Sequence, residues 1–144
     1  MHFHLPQLKW LLIVGVPLLA VLAAAQQPPR PQNPDSAVTR LARERLQVAD
    51  RGYRLAVEKY RLGAAHFSLV AEWARRQAQA HFDLGEAKAV RVEFLQGYVR
   101  QLRDAEQLAR KSFDAGGSAT QLDVAEAEYI RLEGEMWLAK AEEQ

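Results

Sequence analysis

The side chains of this 144-residue chain that could carry chemistry are four histidines, a run of glutamates towards the C-terminus, a few serines and an arginine cluster. His2 and His4 have the spacing of a metal-binding pair, but they sit in a segment expected to be removed. His66 and His81 are too far apart to share a helix face as an i,i+4 ligand pair does, so both read as solvated or capping residues. Glu128 and Glu135 do share a face, and with Glu126 and Glu133 they suggest acid–base or metal chemistry. A di-metal helical bundle, however, also needs Glu-x-x-His motifs, and none occurs. Ser36, Ser68, Ser112 and Ser118 fall at expected helix ends or turns, as capping predicts, and no Gly-x-Ser-x-Gly elbow or phosphate loop is present. Cysteine is absent, which excludes disulfides, a thiol nucleophile and a Cys-ligated zinc. The expectation is a non-enzyme with no catalytic residues, no metal and no cofactor.

Charge narrows the partners. Beyond Ala25 the chain carries 18 Lys and Arg against 18 Asp and Glu, so it lacks the basic surplus of a nucleic-acid binder. The charge is nevertheless segregated. Residues 36–76 hold nine basic and four acidic side chains, while residues 120–144 hold two and seven. Arg40, Arg43, Arg45, Arg51 and Arg54 are expected to face the acidic last helix, within the chain or across a dimer. An acidic partner or anionic lipid is the alternative.

The elements that would position these groups follow from hydropathy. Residues 10–25 form an apolar run that ends in Ala23-Ala24-Ala25 and is followed by two glutamines, the pattern of a secretory signal peptide over 1–25. As a membrane anchor it would be short of the ~20 residues a span needs, and Pro17 interrupts it. The chain is therefore expected in the periplasm or cell envelope, touching a membrane only through an uncleaved N-terminus. Residues 26–35 are a proline-rich linker. From residue 36 to 144 there is no proline and no alternating strand pattern, and the periodicity is helical throughout.

Ala42, Leu46, Ala49, Tyr53, Ala56 and Tyr60 recur at spacings of four and three, a heptad seam alternating alanine with large residues. It stops at Gly63, which can close a helix in the left-handed conformation. Helical patterns resume over 69–82 and 87–113, the latter with Leu95, Tyr98, Leu102, Ala105 and Ala109. The clearest turn is residues 114–119, with adjacent Gly116 and Gly117. The last helix carries Leu122, Ala125, Tyr129, Leu132, Met136 and Ala139 as its seam. The tyrosines, with Trp73 and Trp137, are assigned to core packing. Asp83 and Glu86 have the spacing of a capping box, which favours a break there. The lengths of the segments favour one continuous helix over 68–113, irregular near Gly85. The fold class is all-α, with antiparallel coiled-coil hairpins built from three or four long helices.

The two halves repeat. Tyr60, Gly63, His66 and Val70 correspond to Phe113, Gly117, Thr120 and Val124. This pattern resembles the helical-hairpin repeat of the TolC-like outer-membrane efflux family, whose hairpins run aromatic, glycine, Ser/Thr, Asp-Val and then an Ala- and Glu-rich heptad helix. The second half matches through Phe113, Gly117, Thr120 and Asp123-Val124. The first departs, with His66 and Leu69 in place of Ser/Thr and Asp. The resemblance covers residues 50–142 and only the helical part of that family, since no strands for a barrel are predicted. It implies hairpin turns that dock on partner hairpins, with Gly63, His66, Gly116, Gly117, Thr120 and Asp123 as the interaction residues. The expected partners are a second copy of the chain or another coiled-coil envelope protein. A divergent or truncated component of a TolC-like efflux or secretion assembly is the alternative role.

Overall fold

The computed structural model describes residues 36–143. The expected signal peptide and linker and the His2–His4 pair lie outside them. The described residues are all helical, with no strand. Four helices follow one another: α1 (Ala37–Arg61), α2 (Phe67–Phe82), α3 (Lys88–Asp114) and α4 (Gln121–Glu143).

Helix boundaries follow capping chemistry. Ser36 opens α1, its Oγ accepting the Thr39 N–H at 3.1 Å. At the other end Gly63 takes a left-handed φ of 68°. Its N–H bonds the Tyr60 carbonyl, while the Ala64 N–H reaches back to Lys59. This paired closure satisfies carbonyls the helix end leaves open. The end of α3 repeats it: Gly116 (φ 67°) bonds Phe113, and Gly117 reaches Ser112. The left-handed residue of the second turn is thus Gly116, not Gly117.

The chain breaks between α2 and α3, so residues 68–113 are two helices and not one. Gly85 adopts φ 62° in the connection, which reverses the chain. Asp83 and Glu86 do not form a capping box across it. Asp83 ends α2 and binds Arg45 and Gln79, while Glu86 lies 3.2 Å from His81 Nε2. Ala87 starts α3 with no side-chain cap.

α1 packs along α2 and α3 along α4, and α2 also meets α3 and α4. Neighbours in sequence run antiparallel: Arg45, early in α1, reaches Asp83 at the end of α2, and Lys88, opening α3, donates to the Glu142 carbonyl near the end of α4. Ala71, Ala74 and Ala78 on α2 are fully buried, and their small side chains let the neighbouring helices close in. Phe67, Val70, Leu95, Leu102 and Ile130 fill the core between them. An aromatic series runs from His81, stacked on Phe94 at 3.6 Å, through Tyr98 to Trp137 and Phe82. Polar side chains cross-link the helices as well. Gln101 donates to Gln77, and Gln77 donates to Asp50, joining α3, α2 and α1.

Candidate interaction surface

The residues expected at the hairpin turns come together at one end of the molecule. A Cβ on Gly63 would stand 3.0 Å from Ser118 Oγ, so the two turns are in contact. Gly63, His66, Gly116, Gly117 and Thr120 are exposed there, and Asp123 is buried beneath them. Thr120 and Asp123 form a reciprocal cap at the start of α4. The Asp123 N–H donates to Thr120 Oγ1 at 3.2 Å, and Asp123 Oδ2 accepts the Thr120 N–H at 2.8 Å and its hydroxyl at 2.7 Å. The other oxygen, Oδ1, accepts the Phe67 N–H at 2.7 Å, capping α2. One carboxylate therefore satisfies the N-termini of two helices, where their dipoles favour negative charge. Burial alone would raise the Asp123 pKa. The Thr120 hydroxyl and the Phe67 and Thr120 amides outweigh burial and hold it below its ordinary value. Asp123 fastens the turn end together, while the other five residues form its outer surface.

α4 departs most from the sequence pattern. Its buried residues are Asp123, Ala127, Ile130, Gly134 and Ala141, with Trp137 and Leu138 partly buried against the core. The expected seam of Leu122, Ala125, Tyr129, Leu132, Met136 and Ala139 faces outward instead. Leu122 is 76% exposed, Tyr129 62%, Leu132 50% and Met136 47%. Tyr129 is accordingly a surface residue and not a core one. Gly134 explains the inward choice. A Cβ there would fall 2.9 Å from Leu102 and 3.2 Å from Tyr98, so the glycine face is the one that lets α3 come close. α4 is thus apolar on two opposite faces, and only one is covered.

Ion pairs edge the uncovered face. On one side Glu133 accepts from Arg75 Nε at 2.9 Å, and the Arg75 guanidinium lies over the Tyr129 ring. On the other, Arg103 holds Glu135 and Arg110 holds Glu128. Behind these, Glu106 is buried between Arg110 and Arg131. Burial alone would raise the Glu106 pKa, but the two guanidinium groups hold it below the usual range.

Glu128, Glu133 and Glu135 of α4 therefore pair with α2, α3 and α4 itself, not with the arginines of α1 as expected within the chain. Arg45 binds Asp83, and Arg40 meets only its own helix at Glu44. Arg43, Arg51 and Arg54 have no ion pair among the described residues and point to solvent. The reason is topological: the helix beside α1 is α2, not α4. Exposed Leu41, Val48 and Leu55, seven residues apart, run down the same helix and continue to Leu62 at its C-cap. Five residues of the seam predicted for α1 are buried, Ala42, Ala49, Tyr53, Ala56 and Tyr60, while the sixth, Leu46, is half-buried.

The histidines separate. His66 occupies the N-cap position of α2 without a side-chain bond, whereas His81 is buried against Phe94 and is not solvated. Among the described residues no cluster of His, Asp and Glu could hold a metal ion, and no helix is long and apolar enough to cross a membrane. A groove of about 530 Å³ separates α1 from α3, lined by Tyr53, Val57, Arg100, Gln101 and Asp104 among others. No family model matches the sequence, and neither the curated proteins nor the solved structures compared with it give a significant match.

Proposed function

We propose that this chain is a non-catalytic docking protein of the bacterial cell envelope, exported by its N-terminal signal and working through the outer faces of coiled-coil hairpins. One observation carries the reading: α4 leaves a heptad-spaced apolar seam uncovered, with its large side chains about half to three-quarters exposed. Monomeric proteins rarely leave such a patch open, because apolar area in water costs roughly 25 cal/mol per Å² that a partner would recover. The exposed leucines and unpaired arginines of α1 supply a second face, suited to a partner with acidic flanks. Partners of both kinds, a second copy or another helical envelope protein, fit these surfaces.

The test is a photo-crosslinking residue placed in living cells at Leu132, with Lys111 as an exposed polar control. The expected result is a protein adduct from position 132 and none from 111, on a chain whose N-terminus has been processed near Gln26. No adduct from position 132 would overturn the docking role, and an unprocessed cytoplasmic chain would overturn the export. A second reading, kinship with TolC-like hairpins, draws on the turn end, where two glycine-closed turns lie side by side as a composite tip. A photo-crosslinker at Ser118 that traps a component of an efflux or secretion assembly would favour it. A tip with no neighbour in the cell would count against it.

A further inference from the structure

We propose that the outer face of α4 is the two-fold interface of a homodimer, in which α4 of one copy lies antiparallel on α4 of another. The inference rests on the docking reading above and names the partner. Its basis is the order of side chains along the seam. Reversing the seam about a midpoint between Ile130 and Arg131 sets Leu122 opposite Ala139 of the second copy, and Ala125 opposite Met136. Tyr129 then faces Leu132, and the two-fold repeats all three layers. Every alanine meets a large side chain, and the only layer with two large residues is the one beside the axis. Parallel alignment has no such match, because it stacks Ala125 on Ala125 and Tyr129 on Tyr129. Alternating small and large residues across facing positions is what lets two helices pack at interior density.

Charge agrees with the antiparallel arrangement. An acidic helix laid on a copy of itself would normally repel it. Here Glu128, Glu133 and Glu135 are already bound by Arg110, Arg75 and Arg103 of their own chain, so the rims present ion pairs and not bare carboxylates. Glu126 and Lys140, which form no ion pair among the described residues, flank the seam on the same side and approach each other's copies in the reversed register. Helical side chains lean towards their own N-terminus, which brings these two together across the interface. The two seams supply on the order of 1,000 Å², the lower limit for a specific interface, so the dimer is expected to be reversible in the micromolar range. The competing contact, α4 on the outer face of α1, is poorer. Past Val38 and Leu41 the α1 stripe has one large apolar residue per heptad, and Arg45 and Lys59 interrupt it.

Disulfide trapping decides the matter, since the native chain contains no cysteine. Ala125→Cys and Met136→Cys chains are prepared separately, then mixed under mild oxidation. The expected result is covalent dimer from the mixture and little from either variant alone. A dimer from Ala125→Cys alone would show a parallel seam, and none from any combination would show that α4 is not the interface. Either result overturns the proposal. The photo-crosslink from Leu132 separates the two claims. An adduct to another protein with no disulfide dimer would retain the docking role and remove the homodimer. Both cysteine positions are exposed or partly so, and unchanged helicity of the variants excludes misfolding as the cause of a negative result.

Discussion

At the scale of single residues, Asp123 does the work that holds the two turns together. Its carboxylate ends two helix N-termini at once, and each cap is worth about 1 kcal/mol, more when the acceptor is charged. Asp123→Ala is therefore expected to lower stability by about 2–3 kcal/mol. Asp123→Asn, which keeps one acceptor oxygen, is expected to cost about half that; chemical denaturation reads both. The pH dependence follows from the same groups. Asp123, Glu106 and Glu135 all have depressed pKa values in the folded chain, so the stability they contribute is complete above the unfolded carboxyl range near ~4 and is lost as pH falls through the lower folded values. His81 adds a separate window. Burial lowers its pKa despite nearby Glu86 and Asp50, and Arg91 lowers it further, so the folded chain favours the neutral ring. As pH drops below the unfolded value near ~6.5, the unfolded state takes up a proton first and stability declines. Thermal melts from pH 8 to 3 should show both declines. His81→Gln is expected to remove the first only, and Asp123→Asn to shrink the second. A melting temperature that stays flat in these variants and the native chain alike would contradict these assignments.

At the scale of elements, close approach of α3 and α4 depends on Gly134. A methyl there meets Leu102 and Tyr98 inside a packed core, an overpacking of about 1–3 kcal/mol, against a gain of about 1 kcal/mol in helix propensity. Gly134→Ala is expected to destabilise by about 1 kcal/mol. Gly97→Ala, whose new methyl would meet only Arg100 at an ordinary 3.8 Å, is expected to stabilise by up to about 1 kcal/mol. Opposite signs for two identical substitutions in neighbouring helices would confirm that packing, not propensity, sets the inner face. The same glycine shows why α4 was half legible. Leu122 to Ala139 and Ala127 to Ala141 both follow spacings of three and four, so periodicity alone allows either face inward. The outer set holds the larger side chains, and Gly134 in the inner set carries none to count. The all-helical class, the start of α1 near Ser36 and the Gly63 closure are readable because they depend on neighbours in sequence, whereas the break at Gly85 that divides residues 68–113 is offered only as one of two alternatives. The destinations of Asp83, Glu86 and the α1 arginines are not readable, because they depend on which helices lie side by side.

At the scale of the whole molecule, three features stand together: a core to which all four helices contribute, a turn end locked by Asp123, and a helix with one apolar face left over. The charge segregation seen along the sequence is not neutralised where its order suggests. Arg75, Arg103, Arg110 and Arg131 serve the acids of α4, and the basic face of α1 stays in solvent. The arginines therefore predict little for internal stability. Reversing Arg43, Arg51 and Arg54 to Glu should change stability by no more than about 0.5 kcal/mol per substitution, as surface substitutions do. A large fall would show that they have internal partners. The central claim concerns the opposite surface. Its most direct test is sedimentation equilibrium of the native chain and Leu132→Glu over roughly 1–100 μM, the range expected for an interface of this size. The native chain is expected to pass from monomer to twice the monomer mass, while the variant stays monomeric with unchanged helicity. A native chain that remains monomeric throughout, or a variant that associates equally well, would contradict it.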